Sequence, residues 1–282
     1  MIFNQFSRTA EAAAALRAWG AMTPEGRAVF HDEHALRLTS RVWRARLKNP
    51  TQRKLLMEGL LRWMQPIAHQ VLARSHHAER RLQAAVAAGV QQYVIVGAGL
   101  DSFHWRRPSW AKSLTLFEVD HPATQAMKRA RCAASALLGE PQWVACNFER
   151  ESVATALARS AYNPEQPAFF AWLGVTHYLK PAATEATLAA LADVSAPGSE
   201  LVFDYSVPPA AIGLRDLPLA AGLGLLTAVL GEPLVGGLKP TTLAAWAAAS
   251  DWQLVDDLVG PAAGALSLPQ LTRFAHWRRA AT

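Results

Sequence analysis

The sequence predicts an α/β fold: a doubly wound, mostly parallel sheet with a C-terminal antiparallel hairpin, an N-terminal helical cap and a lid insertion. Three observations carry that expectation. The segment 93–101, YVIVGAGLD, runs an apolar β-type stretch into two glycines and a carboxylate. Strand and helix patterns alternate from about Gly89 onward, and the last two strand patterns are too close together for a crossover helix.

Residues 9–88 read as helices, because apolar residues recur every three or four positions and Pro24, Pro50 and Pro66 punctuate them. They form the cap, residues 1–88, and residues 89–282 form the core. Strand 93–97 is short and β-branched, as a strand buried on both faces should be. Strand 114–119 follows, then helix 122–138, strand 142–146, helix 151–160, strand 168–173, helix 181–194 and strand 199–205. Pro122 and Pro181 fall in the first turns of their helices, where the missing N–H costs nothing. Beyond Tyr205 a Pro-, Gly- and Leu-rich segment, 208–239, reads as a lid over the carboxyl edge of the sheet, and the insertion as a whole spans about 206–250 with a helix at 241–249. Strands 253–258 and 271–277 close the sheet, joined by a loop containing Gly260, Pro261 and Gly264.

Composition narrows the function classes. With 282 residues and 51% hydrophobic content the chain can bury a large core. The apolar stretch 217–231 is short and contains Pro218, Gly222 and Gly224, so no membrane span and no membrane partner is expected, and a cytoplasmic location follows. Cys132 and Cys146 lack metal or redox spacing. His31/His34 and His76/His77 lack companion ligands, so no metal is expected. The net charge of +6 is concentrated before the glycine turn: residues 1–90 hold 14 Lys or Arg against 6 Asp or Glu. These cations are dispersed along helices, which makes nucleic acid an unlikely partner and leaves a smaller anion as the functional reading.

Gly97 and Gly99 remove side chains that would keep a ligand from the turn, and Asp120 ends the second strand, where an acid reaches ribose hydroxyls in doubly wound folds. A dinucleotide fingerprint would need a glycine where Ser102 stands, and Asp101 places negative charge near the phosphate position. Both departures favour a ligand without phosphate, such as S-adenosylmethionine.

With those residues in place, nearly the whole chain resembles the leucine carboxyl methyltransferase-like S-adenosylmethionine-dependent methyltransferases, including the bacterial polyketide-type carboxyl methyltransferases. The matching segments are IVGAGLDSFHWR (95–106), FEVDHPATQAMKR (117–129), ACNFERE (145–151), FFAWLGVTHYL (169–179), LVFDYS (201–206) and the region 231–258, with SRTAEAAAALRA (7–18) and LARS (72–75) upstream. The resemblance implies a class I methyltransferase, Rossmann-like fold. It implies that Arg74 pairs with the methionyl carboxylate, that Gly97 and Gly99 pass beneath the methionine moiety, that Asp120 accepts from the ribose and that Asn147 and Phe148 border the adenine. Leu173 stands where many members have a Glu that helps hold the cofactor's ammonium, and Asp101 could supply that charge.

The expected reaction is S-adenosylmethionine-dependent O-methylation of a small-molecule acceptor, best read as an apolar carboxylic acid. A carboxylate is ionised at neutral pH and needs no strong base. His177 and Tyr178, following strand 168–173, are the acceptor-side candidates. The alternatives are a hydroxyl- or amine-directed methyltransferase, and a non-catalytic cofactor-binding or RNA-associated protein.

Overall fold

The computed structural model describes residues 8–132, 140–259 and 268–280. Its centre is a seven-stranded sheet of β1 (Gln92–Val96), β2 (Thr115–Asp120), β3 (Gln142–Ala145), β4 (Ala168–Trp172), β5 (Glu200–Ser206), β6 (Trp252–Leu258) and β7 (Thr272–Arg279). The order is β3-β2-β1-β4-β5-β7-β6. The first five strands pair parallel, and β7 pairs antiparallel with both β5 and β6, as the short interval between the last two strands requires.

Successive side chains on a strand point to opposite faces, so a strand covered on both sides is apolar at every position. Val94 and Val96 enter one buried cluster with Phe117, Phe170 and Phe203, while Tyr93 and Ile95 enter the other with Leu116, Phe169 and Val202. The order reverses between β1 and β4, which leaves a crevice at the carboxyl ends of β1, β2 and β4.

Ahead of β1 the chain is helical from Arg8–Gly20 to Gln65–Ala87. Pro24, Pro50 and Pro66 start helices rather than merely interrupting them, and Thr23 and Asn49 cap two of these by accepting from Gly26 N and Gln52 N. Some expected boundaries move. The helix expected over 151–160 is the short Val153–Leu157, capped by Ser152. The helix at Pro122 is described to Cys132; the expected continuation to 138 and the loop holding Gly260, Pro261 and Gly264 lie outside the described residues.

The larger departure is in the apolar insertion. Leu217–Val229 is a helix, despite Pro218, Gly222 and Gly224. Pro218 sits in its first turn and does no harm there. Leu219, Ala220, Leu223 and Leu226, partly buried, pack against the cluster that includes Met64, Ile67 and Val71, and this packing together with the helix-forming Leu and Ala residues outweighs the weak propensity of the glycines. The following helix, Pro240–Ala249, packs differently: Leu243 and Ala247 join Trp252 and Trp277 in a cluster on the sheet.

Candidate functional site

Gly97 (φ +67°) and Gly99 (φ +50°) both adopt left-handed backbone. At Gly97 a Cβ would stand 2.5 Å from Val175 Cγ2, so only glycine lets β1 and the segment after β4 meet. The turn is pinned to the end of β2: Gly97 N and Ala98 N donate to Val119 O. Asp120 completes the clasp, with Oδ2 accepting from Gly99 N at 2.5 Å and Oδ1 from His121 N at 2.6 Å. Burial pushes the Asp120 carboxyl up, and those two N–H groups pull it back. Each oxygen keeps a second acceptor direction.

Ser102 shows why a third glycine is absent. Its Oγ donates to Asp32 Oδ2 at 2.5 Å and accepts from Arg106 Nε at 2.8 Å. Asp32 also pairs with Arg17 Nε at 3.1 Å, and Arg17 donates to the Leu100 carbonyl, so the position serves to dock the N-terminal helices onto the turn. Asp101 spends one oxygen on Phe103 N at 2.7 Å.

A second cluster forms where β4 and β5 end. Asp204 is buried, its Oδ1 accepting from Gly174 N at 2.6 Å and its Oδ2 facing His177 Nε2 at 3.2 Å and Arg74 Nη1 at 3.3 Å. Burial would raise its pKa, but the His177 ring and the Arg74 guanidinium outweigh burial and hold the carboxyl well below the usual range. His177 Nδ1 lies 2.7 Å from Ser206 Oγ, so both ring nitrogens are engaged. Gly174 (φ +71°) lies so near Arg74 that a Cβ there would come within 2.6 Å of the guanidinium nitrogens. Asp204 and Ser206 were not among the expected site residues. The available signal was an acid inside an apolar strand, since a buried carboxylate demands partners.

All ten expected residues line one cavity of about 1340 Å³: Arg74, Gly97, Gly99, Asp101, Asp120, Asn147, Phe148, Leu173, His177 and Tyr178. Asn147, just beyond β3, turns its Oδ1 to Glu149 N at 3.1 Å. Phe148 leans on the core cluster of β1 and β4, and Leu173 on the opposite one. Burial raises the Tyr178 phenol above its ordinary pKa, and Thr9 is its hydrogen-bond partner. Glu232 accepts from Arg8 N at 2.9 Å and from the Thr9 hydroxyl, joining the first described helix to the segment just after Leu217–Val229.

The remainder of the wall is aliphatic. Leu217, Ala220, Leu223, Leu226 and Leu230 line it from one side, and Leu16, Met64, Ile67 and Val71 from the other. The cavity is therefore polar at the sheet edge and apolar under the insertion, the arrangement of a site that orients a ligand by few groups and accommodates the rest by shape. Among the described residues no metal-ligating cluster occurs and no helix is long and apolar enough to cross a membrane.

Comparison with known proteins bears on the family and the fold. The leucine carboxyl methyltransferase family profile matches residues 10–192. A Bacillus subtilis (strain 168) protein, YktD, provisionally named an S-adenosyl-L-methionine-dependent methyltransferase, is 35% identical over 153 residues, 53% of this chain and 50% of that protein. The chain thus spans about half the length of the curated relatives it matches. The fold resembles a provisionally named methyltransferase from Thermobifida fusca, with TM-score 0.63, 18% identity and coverage of 99% and 97% of the two chains. It also resembles the magnesium protoporphyrin IX methyltransferase of Synechocystis PCC 6803 solved with bound SAH, with TM-score 0.51, 12% identity and coverage of 80% and 97%. The sheet is that of a class I S-adenosylmethionine-dependent methyltransferase.

Proposed function

Because the chain belongs to the leucine carboxyl methyltransferase family, we propose that it is an S-adenosylmethionine-dependent O-methyltransferase that forms a methyl ester on an apolar small-molecule carboxylate. One observation carries the reading: a single cavity joins the Gly97–Gly99 turn, the Asp120 carboxylate and the Arg74 guanidinium to an aliphatic chamber. The donor set fits the cofactor. The free acceptor directions of Asp120 match a ribose diol, the planar fork of Arg74 matches a carboxylate, and the left-handed glycines leave the turn bare. Asn147 and Phe148 would border the adenine, and Asp101, on the same wall, would face the ammonium in place of the acid that Leu173 lacks. Residues 1–88 act as a cap in this reading, and residues 89–282 as the core with its insertion at about 206–250.

When bound, S-adenosylmethionine supplies an electrophilic methyl group on a sulfonium. The chain's own residues have to exclude water and hold the acceptor in near-attack geometry. Leu223, Leu226, Ile67 and Val71 do the first. Tyr178, protonated at neutral pH, donates to the acceptor, and His177, held at both nitrogens, keeps Asp204 and Ser206 in place. No free base is required, because a carboxylate with a pKa of about 4 is already ionised.

Calorimetry with S-adenosylhomocysteine and with NAD tests the cofactor, and only the former is expected to bind. Incubating the protein with methyl-labelled cofactor and cell extract should give a product that releases labelled methanol in mild alkali. An alkali-stable labelled product would assign a hydroxyl or amine acceptor instead, and the absence of any labelled product would assign a non-catalytic binder.

A further inference from the structure

The helix Leu217–Val229 contains no charged residue, and it is apolar on both of its long faces. Its inner face lines the cavity. Its outer face points to solvent: Leu225 is 69% exposed and Val229 74%. Positions 222, 225 and 229 share one stripe of a helix, and the Trp63 ring lies against Gly222, where a Cβ would stand 3.2 Å from Cζ3. Trp63 is itself part-exposed and follows Leu55 and Leu60, which are 75% and 73% exposed. The helical segment Lys54–Leu60 and the insertion helix thus each carry exposed apolar side chains, meet at Trp63 and Gly222, and are rooted in a shared cluster around Met57 against which Leu56, Leu223 and Leu226 pack. Exposed apolar side chains gathered on two neighbouring segments in this way mark an interaction surface.

The charge beside it is one-sided on the Lys54–Leu60 flank, while Arg215, Asp216 and Glu232 flank the insertion helix. Residues 41–62 hold seven Lys or Arg against the single acid Glu58. Arg41, Arg46, Lys48, Lys54 and Arg62 are exposed and make no ion pair among the described residues. A second copy of the chain would set this cationic rim against itself across a two-fold axis, which is unfavourable. A protein partner would be gripped by aromatic and arginine anchors in pockets, whereas these are protruding Leu and Val side chains. Protruding aliphatics with one Trp, bordered along residues 41–62 by cations, fit the boundary of a bilayer carrying anionic headgroups.

We propose that the face formed by Leu55, Leu60, Trp63, Leu225 and Val229 docks the protein onto an anionic lipid surface. The expectation of no membrane partner rested on the lack of a spanning segment, and docking at the surface needs none. The same helix then has one face on the bilayer and the other on the chamber. That arrangement suits an amphiphilic acceptor drawn from the membrane, although docking stands whether or not the chain methylates anything.

Co-sedimentation of the full chain with vesicles tests this. Phosphatidylcholine vesicles carrying about 30% phosphatidylglycerol should bind the protein at least tenfold better than phosphatidylcholine alone, with the difference shrinking as salt rises. Leu225→Ser combined with Val229→Ser should lower binding at least tenfold while leaving the melting temperature and S-adenosylhomocysteine affinity unchanged. Lys54→Gln with Arg62→Gln should lower it several-fold and flatten the salt dependence. The proposal is overturned by equal binding to both vesicle types, by no binding to either, or by serine variants that bind as the parent does. Sedimentation equilibrium showing a dimer that the serine variants dissolve would also overturn it, by assigning the face to a second copy.

Discussion

At the sheet edge the cavity-lining carboxylates of Asp120 and Asp204 are fixed by partners: Asp120 by two backbone N–H groups, Asp204 by one N–H, a histidine and an arginine. Under the insertion helix the wall is built of packed Leu, Met, Ile and Val side chains. The first kind of wall has one low-energy arrangement, because an unpartnered buried charge costs several kcal/mol. The second admits many, because aliphatic side chains of equal volume exchange at little cost. A site divided in this way can keep one cofactor while its acceptor changes.

The strongest test of the contrast is removal of the most enclosed charge. Asp204→Ala leaves the Arg74 guanidinium and the His177 ring without their shared counter-charge, and should cost about 3 to 5 kcal/mol in urea unfolding. The same group gives a signed pH dependence. Its folded pKa is depressed, so the unfolded chain binds the proton more readily. The stabilisation is therefore present above the unfolded pKa of about 4, and is lost as pH falls below it toward the folded value. Between about pH 6 and pH 3 the urea midpoint of the parent should fall further than that of Asp204→Asn. Equal falls would mean that Asp204 is not held as an ion pair.

The cofactor end comes next in size. Asp120→Ala removes the clasp on Gly99 and His121 together with the proposed ribose contact, and should weaken S-adenosylhomocysteine binding by about 1.5 to 3 kcal/mol, tenfold to over a hundredfold. Arg74→Ala should weaken that ligand more than adenosine, which lacks the carboxylate. Equal losses for both would reduce Arg74 to a structural partner of Asp204. Calorimetry on the folded variants decides both.

The same division explains what could be read from the chain. Strand positions follow from apolar runs, and the turn from Gly97 and Gly99, because backbone geometry there admits few residue types. Asp120 was legible as the polar end of β2. Asp204 was not, because its partners come from a helix 130 residues away and from the segment after β4, and no local pattern encodes that meeting. The helix Leu217–Val229 was hidden for a different reason: Pro218, Gly222 and Gly224 read as turn residues, although Pro218 falls in the first turn, the Leu and Ala residues favour a helix, and packing against the cluster around Met64 and Ile67 supports it. Of the site as a whole, the residues fixed by backbone geometry were legible in the chain itself, Arg74 entered through the family resemblance and His177 and Tyr178 through their place after strand 168–173, while the pairing of Arg74 and His177 with Asp204 was not legible.

A smaller effect is expected from Leu223→Ala with Leu226→Ala, which enlarges the apolar chamber. Affinity for S-adenosylhomocysteine should stay within about twofold, while the preference among acceptors shifts toward bulkier ones. Steady-state competition between acceptors of different size reads this directly. A collapse in cofactor binding with unchanged acceptor preference would place these leucines at the wrong end of the cavity.

The finest test compares glycines. Gly97 has left-handed φ, and a Cβ there meets Val175 at 2.5 Å, so Gly97→Ala should destabilise by more than about 1 kcal/mol. Gly224 lies inside the insertion helix, and a Cβ added there would meet nothing within 4 Å, so Gly224→Ala should instead stabilise by about 0.5 to 1 kcal/mol through helix propensity alone. Gly222 falls between them. Its added Cβ would stand 3.2 Å from the Trp63 ring, tighter than ordinary contact, but Trp63 is 41% exposed and free on one side to shift by a few tenths of an ångström. Propensity should then outweigh the contact, for a net gain below about 0.5 kcal/mol. Urea midpoints ordered Gly224→Ala, then Gly222→Ala, then parent, then Gly97→Ala would fit a rigid turn facing an adaptable wall. A Gly222→Ala midpoint far below the parent would mean that Trp63 is fixed as firmly as the polar edge, and that the insertion is less adaptable than its composition suggests.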